Sequence, residues 1–519
     1  MTKKLIAFLF ALILATTSAA RADLAEDMQA QIDALQRQLN AVKAQLEQIK
    51  AQQAAAAAKP AATPAPGKPV LVKNGTDSTF LIGSEAVQVY GNFDISVDYT
   101  TKGLAKYYAS SGDGPVGNYG WMPALSTNLS YIGVRGDHQL GPRSGLLYQL
   151  ETEVDISNEP GTPESNNNSG AIVKGALVSR NSFLGLATPI GAFKLGKTDA
   201  PYKDATARMN PFSGEIGDYS VIMGNTGGDN RVEFGTRLDH SVWYESPNWG
   251  GITWNALVSP GQNRAYDSSN IAAGEVDCSG GNSPGSGALP PLCNDGSFAS
   301  AYSTDLTYLN GNKNLYLAVA YELHKKVNRT SDLADLDPND VADEDALKGG
   351  IQYMPARGLT LSGVYESFHR YVPQYLEYQN ERQRDGFWLA ATQALSPRDN
   401  INFGWAKALG TPGDPGQHNT PAIANPDNQS NLYTIAFKHA IDRHVSWYFD
   451  WAETLNHSAA HYDLGAGGRA ITTDCHDATT LAAFDATANG GAGGVTGAGP
   501  HCYAGGQLRG FSGGIDLRF

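Results

Sequence analysis

From Val87 onward, hydrophobic and polar residues take turns along the chain. Val87, Val89, Gly91, Phe93, Ile95, Val97 and Tyr99 alternate with Gln88, Tyr90, Asn92, Asp94, Ser96, Asp98 and Thr100. Leu146, Tyr148, Leu150, Thr152, Val154 and Ile156 repeat the pattern against Gln149, Glu151, Glu153 and Asp155. Period-two alternation puts one face of a strand in an apolar medium and the other in a wet one. Strands of a soluble sandwich rarely exceed about ten residues, whereas tilted membrane strands with their ends do. The chain closes on the same alternation, Phe511-Ser512-Gly513-Gly514-Ile515-Asp516-Leu517-Arg518-Phe519. A final strand with both edges paired implies a sheet closed on itself.

The pattern predicts strands over 87–100, 128–138, 146–157, 180–188, 192–199, 231–246, 251–259, 299–309, 314–325, 346–354, 359–369, 384–396, 400–409, 430–441, 445–456 and 507–519. Sixteen is even, as a bacterial barrel with both ends on the periplasmic side requires. The connections sort by parity. Short turns such as Thr188-Pro189-Ile190-Gly191, Asn248-Trp249-Gly250, Ala356-Arg357-Gly358 and Asp442-Arg443-His444 alternate with long segments at 101–127, 158–179, 200–230, 260–298, 326–345, 370–383, 410–429 and 457–506. A soluble sandwich has no reason for such sorting, whereas a transmembrane barrel has short periplasmic turns and long external loops. The expected fold class is all-β, a sixteen-stranded antiparallel transmembrane barrel with an N-terminal coiled-coil helix.

Residues 1–22 read as a signal peptide: Lys3 and Lys4, a short apolar run from Leu5 to Ala15, and Ala20-Arg21-Ala22 before the cut. Over 23–50, Met28, Ile32, Leu35, Leu39, Val42, Leu46 and Ile49 fall at a and d heptad positions. This stretch is expected to be an oligomerisation stalk in the periplasm, with a helix packed on its own chain as the alternative. Residues 51–84 form an Ala/Pro-rich spacer and lead-in, semi-rigid where proline is dense. The barrel domain takes 85–519. A mean hydropathy of -0.32 looks soluble, but alternating strands average their polarity away. The net charge of -14 opposes a nucleic-acid partner, which needs clustered Lys and Arg.

Several stretches resemble the general, trimeric, sixteen-stranded porins of Gram-negative outer membranes. Val87-Gln88-Val89-Tyr90-Gly91 through Asp94 is similar to their first strand, Tyr131-Ile132-Gly133-Val134-Arg135-Gly136 to the second, and Tyr148-Gln149-Leu150-Glu151 to the third. The hairpin Arg180–Leu186 to Phe193–Lys197 resembles strands four and five, Arg237–Pro247 the sixth, and Phe519 the assembly signal. The likeness covers roughly 85–260 and the last strand, and departs at the stalk, which most general porins lack. It implies a passive diffusion channel for ions and small hydrophilic solutes, a homotrimer, and contact with outer-membrane lipid and lipopolysaccharide. The stalk adds a candidate contact with the cell wall.

The resemblance also implies that a third external loop, 199–230, folds into the barrel as a constriction. That segment carries Asp199, Asp204, Glu215 and Asp218, with Gly214, Gly217 and Gly224 to bend it, and lumen-facing bases nearby include Arg135, Lys194, Arg231 and Arg237. Carboxylates opposite bases set a transverse field that sorts ions by charge, and the acid excess points to cation preference. Cys278 with Cys293, and Cys475 with Cys502, each lie in one external loop. Two disulfides are expected of an exported chain. For the second pair the rival reading is a Cys2His2 set with His476 and His501, which lacks short C-x2–4-C spacing. Two G-x-S-x-G matches, at 281–285 and 510–514, lack the strand-to-helix setting of a nucleophile elbow. No catalysis, cofactor or metal is expected. Beside the diffusion channel stand a substrate-selective channel and a structural tether between outer membrane and cell wall.

Overall fold

A computed structural model describes residues 79–82, 85–101, 121–154, 156, 180–224, 234–260, 298–328, 341–373, 383–413, 425, 427–457, 460, 462, 464–465 and 507–519. The signal peptide, the stalk and all but 79–82 of the spacer fall outside these residues, as do Arg231 and the four cysteines.

Eighteen strand segments build one antiparallel sheet. β1 (Thr79–Ile82) is a short lead-in folded back on β2 (Glu85–Thr101). β3 (Trp121–Thr127) and β4 (Tyr131–Gly141) are two halves of a single stave, since both pair with β2. Fourteen more follow: β5 (Ser144–Glu153), β6 (Ser182–Thr188), β7 (Gly191–Asp199), β8 (Arg237–Glu245), β9 (Ile252–Pro260), β10 (Ser300–Leu309), β11 (Leu315–Asn328), β12 (Val341–Ala356), β13 (Leu359–Arg370), β14 (Asp385–Ala394), β15 (Asp399–Ala408), β16 (Ser430–Ala440), β17 (Val445–Asn456) and β18 (Gln507–Arg518). Each pairs with the next, and β18 returns to β2 in the register Gly510↔Thr100 to Arg518↔Asn92. The result is a closed barrel of sixteen staves.

The boundaries differ from the sequence pattern chiefly in four places, the first being β5, which ends at Glu153 rather than at 157. The second stave starts at Trp121, so the expected loop 101–127 loses its last turn to β3. Apolar Trp121 and Leu125 continue the outward row beyond a local break at 128–130, where Leu129 takes a positive φ of 51°. Asn128 and Ser130 fill the break: the Asp94 carbonyl accepts from the Asn128 amide (2.9 Å) and from the Ser130 hydroxyl (3.0 Å). The expected loop 326–345 contracts to 329–340, because β11 and β12 run on past a bulge between His324 and Val327. The strand expected over 231–246 is β8, which begins only at Arg237.

Alternation now has a direction. Val97, Leu184, Leu195, Leu306, Val319, Leu347 and Ile515 are exposed on the outside, while the intervening Asp94, Asp98, Glu151, Ser303, Glu322 and Asp450 are buried within. No described helix is long and apolar enough to cross a membrane; this barrel crosses with strands. Tyr99, Trp121, Phe511 and Phe449 stack across the closing seam at centroid spacings of 5.1, 5.7 and 6.1 Å, as interfacial aromatics of a girdle do.

Phe519 finishes the seam. Its carbonyl accepts from the Gly91 amide at 3.0 Å, its amide donates to the Gly91 carbonyl at 3.1 Å, and its ring lies 5.3 Å from that of Phe93. Removing Phe519 deletes two ladder bonds and one ring contact, about 2–3 kcal/mol. The expected outcome is a lower temperature of conversion to the unfolded band on unboiled gels, with the β-type circular dichroism retained below it.

Candidate functional site

The chain leaves β7 at Asp199 and turns into the barrel rather than away from it. Pro201 opens a helix, α1 (Pro201–Ala207), at a position where its missing N–H costs nothing. Turns follow to a 3-10 segment over Tyr219–Val221. Asp218 organises this stretch. Its carboxylate accepts from the Asn210 side-chain amide (2.8 Å), the Gly214 amide (2.9 Å) and the Ser220 amide (2.9 Å).

Contacts with successive staves show that the segment spans the bore. The Tyr202 amide donates to Ser303 on β10 (3.0 Å), and Tyr316 on β11 donates to the Ala205 carbonyl (2.9 Å). Arg208 donates to Gln352 on β12 (3.0 Å), whose amide returns a bond to the Arg208 carbonyl (3.1 Å). Trp388 on β14 donates to the Met209 carbonyl (3.0 Å). Lys438 on β16 donates to the Pro211 carbonyl (2.5 Å) and pairs with Glu215. The returning arm is held by Glu366 on β13, which accepts from the Gly224 amide (2.8 Å), and by Arg384, which donates to the Ile222 carbonyl and to Glu366.

Apolar packing supplies the rest of the seat. Met209, Phe212, Ile216 and Ile222 are fully buried, and the rings of Phe212 and Tyr219 lie 5.9 and 5.3 Å from Trp388. Room for them comes from small inward residues: Ala318 and Ala320 on β11, Ala346 and Gly350 on β12, Ala390 on β14, Ala406 on β15 and Ala436 on β16. A Cβ on Gly350 would come within 2.8 Å of Met209, and one on Gly404 within 2.1 Å of Trp388.

The residues singled out in the sequence have separate fates. Asp199 bonds directly with Arg237 (3.2 Å) and Lys203 (2.8 Å). Lys194 is held by Glu245 (2.7 Å) over the Phe183 ring. Arg135 donates to Gln88 (2.8 Å) and lies over Tyr90 at 4.5 Å. Glu215 is buried against Lys438, and Asp218 is spent on backbone amides. Asp204 remains open on a cavity of about 230 Å³ whose lining includes Arg180, Lys203, Arg237, Lys348 and Glu366. The protein packed near its carboxyl disfavours the charged form and Asp199 lies beside it; in that order, and against the opposing charge of Lys203, these push the Asp204 pKa up to about 8. Arg180, Lys348, Glu366, Arg384 and Lys438 were not singled out in the sequence. Small residues at inward positions of β11–β16 were the available signal for the seat.

A barrel with an apolar outer face, a polar bore and a segment folded across it defines a transmembrane channel-type protein of the outer membrane. The sequence profile of the Gram-negative porin family matches residues 51–459, and the chain belongs to that family. A 139-residue stretch is 25% identical to the major outer membrane protein P.IA of Neisseria meningitidis serogroup C, covering 26% of this chain and 29% of that relative's length. Among solved structures, an anion-selective porin from Comamonas acidovorans superposes with a TM-score of 0.55 at 17% identity, over 84% of this chain and 100% of the other. OmpF of Salmonella typhi, in a complex with daunomycin, does so at 0.50 and 13%, over 85% and 100%.

Burial pushes the Glu215 pKa up, and Lys438 offsets this in part. A carboxyl with a raised pKa favours the seated loop at low pH, and that contribution is lost as pH rises through its pKa. In Lys438→Met the offset is gone, and an ionised Glu215 would be buried unpaired at a cost of about 3–5 kcal/mol. Single-channel recordings of this variant should be quiet at acid pH and show increasing closures as pH rises, with Glu215→Gln restoring the quiet trace.

Proposed function

We propose that this chain is a passive outer-membrane diffusion channel for ions and small hydrophilic solutes, narrowed where segment 199–230 crosses the bore. The observation that carries the reading is the anchoring of 200–224 to staves β10 to β14 and β16, which leaves a charged cavity beside the loop. Such a constriction sorts solutes by size and charge and needs no reaction.

The charge balance supports cation preference. Inward carboxylates such as Asp94, Asp98, Glu151, Glu153, Asp305, Glu322, Glu344 and Glu366 add to those of the loop, and the inward bases are fewer. The Comamonas porin is named as anion-selective, so the two barrels would share a fold and differ in sign. Asp204 is the loop carboxylate we assign to setting this preference, because Asp199, Glu215 and Asp218 are engaged by bases or amides. We further propose a homotrimer joined through the 23–50 stalk, with disulfides Cys278–Cys293 and Cys475–Cys502. Native mass measurement with and without reductant tests both.

In a planar bilayer under a salt gradient, the reversal potential should have the cation-selective sign. Asp204 is neutral below its raised pKa and negative above it. Cation preference should therefore rise as pH passes through about 8, and Asp204→Asn should abolish that rise. The size of the lost increment is up to roughly fivefold in permeability ratio, the Boltzmann factor of ~1 kcal/mol. An anion-selective sign in the unaltered protein would sink the selectivity assignment.

A further inference from the structure

The short turns at the periplasmic end repeat one arrangement. An exposed apolar residue at the end of a strand is followed two or three positions later by an arginine: Leu140-Gly141-Pro142-Arg143, Met354-Pro355-Ala356-Arg357, Leu395-Ser396-Pro397-Arg398 and Ile441-Asp442-Arg443. The apolar members are 54%, 36%, 60% and 48% exposed in turn, and all four arginines are exposed. Leu395 and Ile441 continue the outward rows of β14 and β16, which place Leu389 and Tyr433 on the outer surface. Arg143, Arg357 and Arg398 make no ion pair among the described residues. Lys313 adds a fifth base in the β10–β11 turn.

The two rims of the barrel differ in sign. The seven short turns carry these five bases and one acid, Asp442, whose carboxylate accepts from the His444 and Val445 amides. In the long external segments acids outnumber bases about two to one. A chain of net charge -14 thus keeps a basic rim on the side that meets the periplasm.

We propose that these turns bind the phosphodiester headgroups of anionic phospholipid in the periplasmic leaflet, one lipid per apolar–arginine turn. At Leu140, Leu395 and Ile441 the apolar side chain lies on the lipid-facing parity and enters the acyl region, and the arginine that follows reaches back to the phosphate; Met354 shares the inward parity of Lys348 and Gln352, so Arg357 meets a phosphate without that apolar anchor. A guanidinium suits this role because its fork meets phosphate oxygens in pairs, and a stem lying along apolar surface loses little in doing so. A base near an anionic leaflet contributes about 1 kcal/mol. A polyanionic cell-wall fragment would match the charge and leave Leu140, Leu395 and Ile441 in water. The bases form an arc rather than a full ring, since the turns at 189–190 and 246–251, between β6 and β9, have none. The inference rests on the barrel's orientation in the outer membrane and not on conduction.

The test uses the full chain in nanodiscs of equal parts phosphatidylcholine and phosphatidylglycerol, with lipid retained on extraction into detergent counted by mass spectrometry. The unaltered protein should enrich phosphatidylglycerol by roughly fivefold per turn, and the enrichment should fall with added salt; both are read without any variant. Arg143→Gln, Arg357→Gln, Arg398→Gln and Arg443→Gln together should remove the enrichment and leave single-channel conductance unchanged, while the four Arg→Lys changes should keep part of it. Equal retention of the two lipids by the unaltered protein, or full enrichment in the glutamine variant, overturns the proposal. So does binding of soluble peptidoglycan fragments to the unaltered protein alone without lipid enrichment, which would give the rim to the cell wall. Loss of conductance with enrichment intact would strike the diffusion reading by itself.

Discussion

Inside a bilayer, a backbone amide that finds no partner in the protein finds none at all. This constraint decides the architecture, because an open sheet would leave two unpaired edges in hydrocarbon. The chain meets it by returning β18 to β2 over nine register pairs, from Gly510↔Thr100 to Arg518↔Asn92, with Phe519 and Gly91 completing the ladder. Once the cylinder is closed, the two faces of every strand acquire opposite solvents. The outer face must be apolar, and the inner face is free to carry Asp, Glu, Arg and Lys.

An interior free to be polar need not be uniform. The inward faces of β2 to β8 bear long charged side chains such as Asp94, Arg135, Glu151, Lys194 and Glu245. Those of β11 to β16 are floored with alanine and glycine, on which the 200–224 segment rests. The loop crosses because both of its needs are met on the far wall. Met209, Phe212, Ile216 and Ile222 find apolar company, and its carbonyls find donors in Tyr316, Trp388, Arg384 and Lys438. Burial of four large side chains, at about 1.5–3 kcal/mol each, is the term that seats it; the hydrogen bonds fix its register.

Charge is partitioned by the same topology. Acids dominate the long external segments and much of the bore, while the short turns keep their bases. Neither distribution shows in the net charge, which sums over a boundary that the fold imposes. Within the bore the carboxylates also divide by task. Asp218 shapes the loop, Glu215 pins it, Asp199 locks its stem to Arg237, and Asp204 is left to the water.

The staves were legible in the sequence because period two is a local property: a side chain two positions on shares its neighbour's solvent whatever the rest of the chain does. Nearly all boundaries follow from it, and the misses at Trp121, Asn328 and Val341 come where a bulge or a positive φ interrupts the parity count. The same count named Arg135, Lys194 and Arg237 as candidate inward bases, but it said nothing of their pairings. Asp199 with Arg237 and Lys194 with Glu245, 38 and 51 positions apart, meet across the neighbouring staves β7 and β8, and Lys438 with Glu215, 223 apart, meets only because the loop crosses the bore; no local pattern records either separation. Sequence alone determined which side of each strand faces lipid; strand register and the path of the loop across the bore decided which charges meet, because both are set by pairings between residues far apart in the chain.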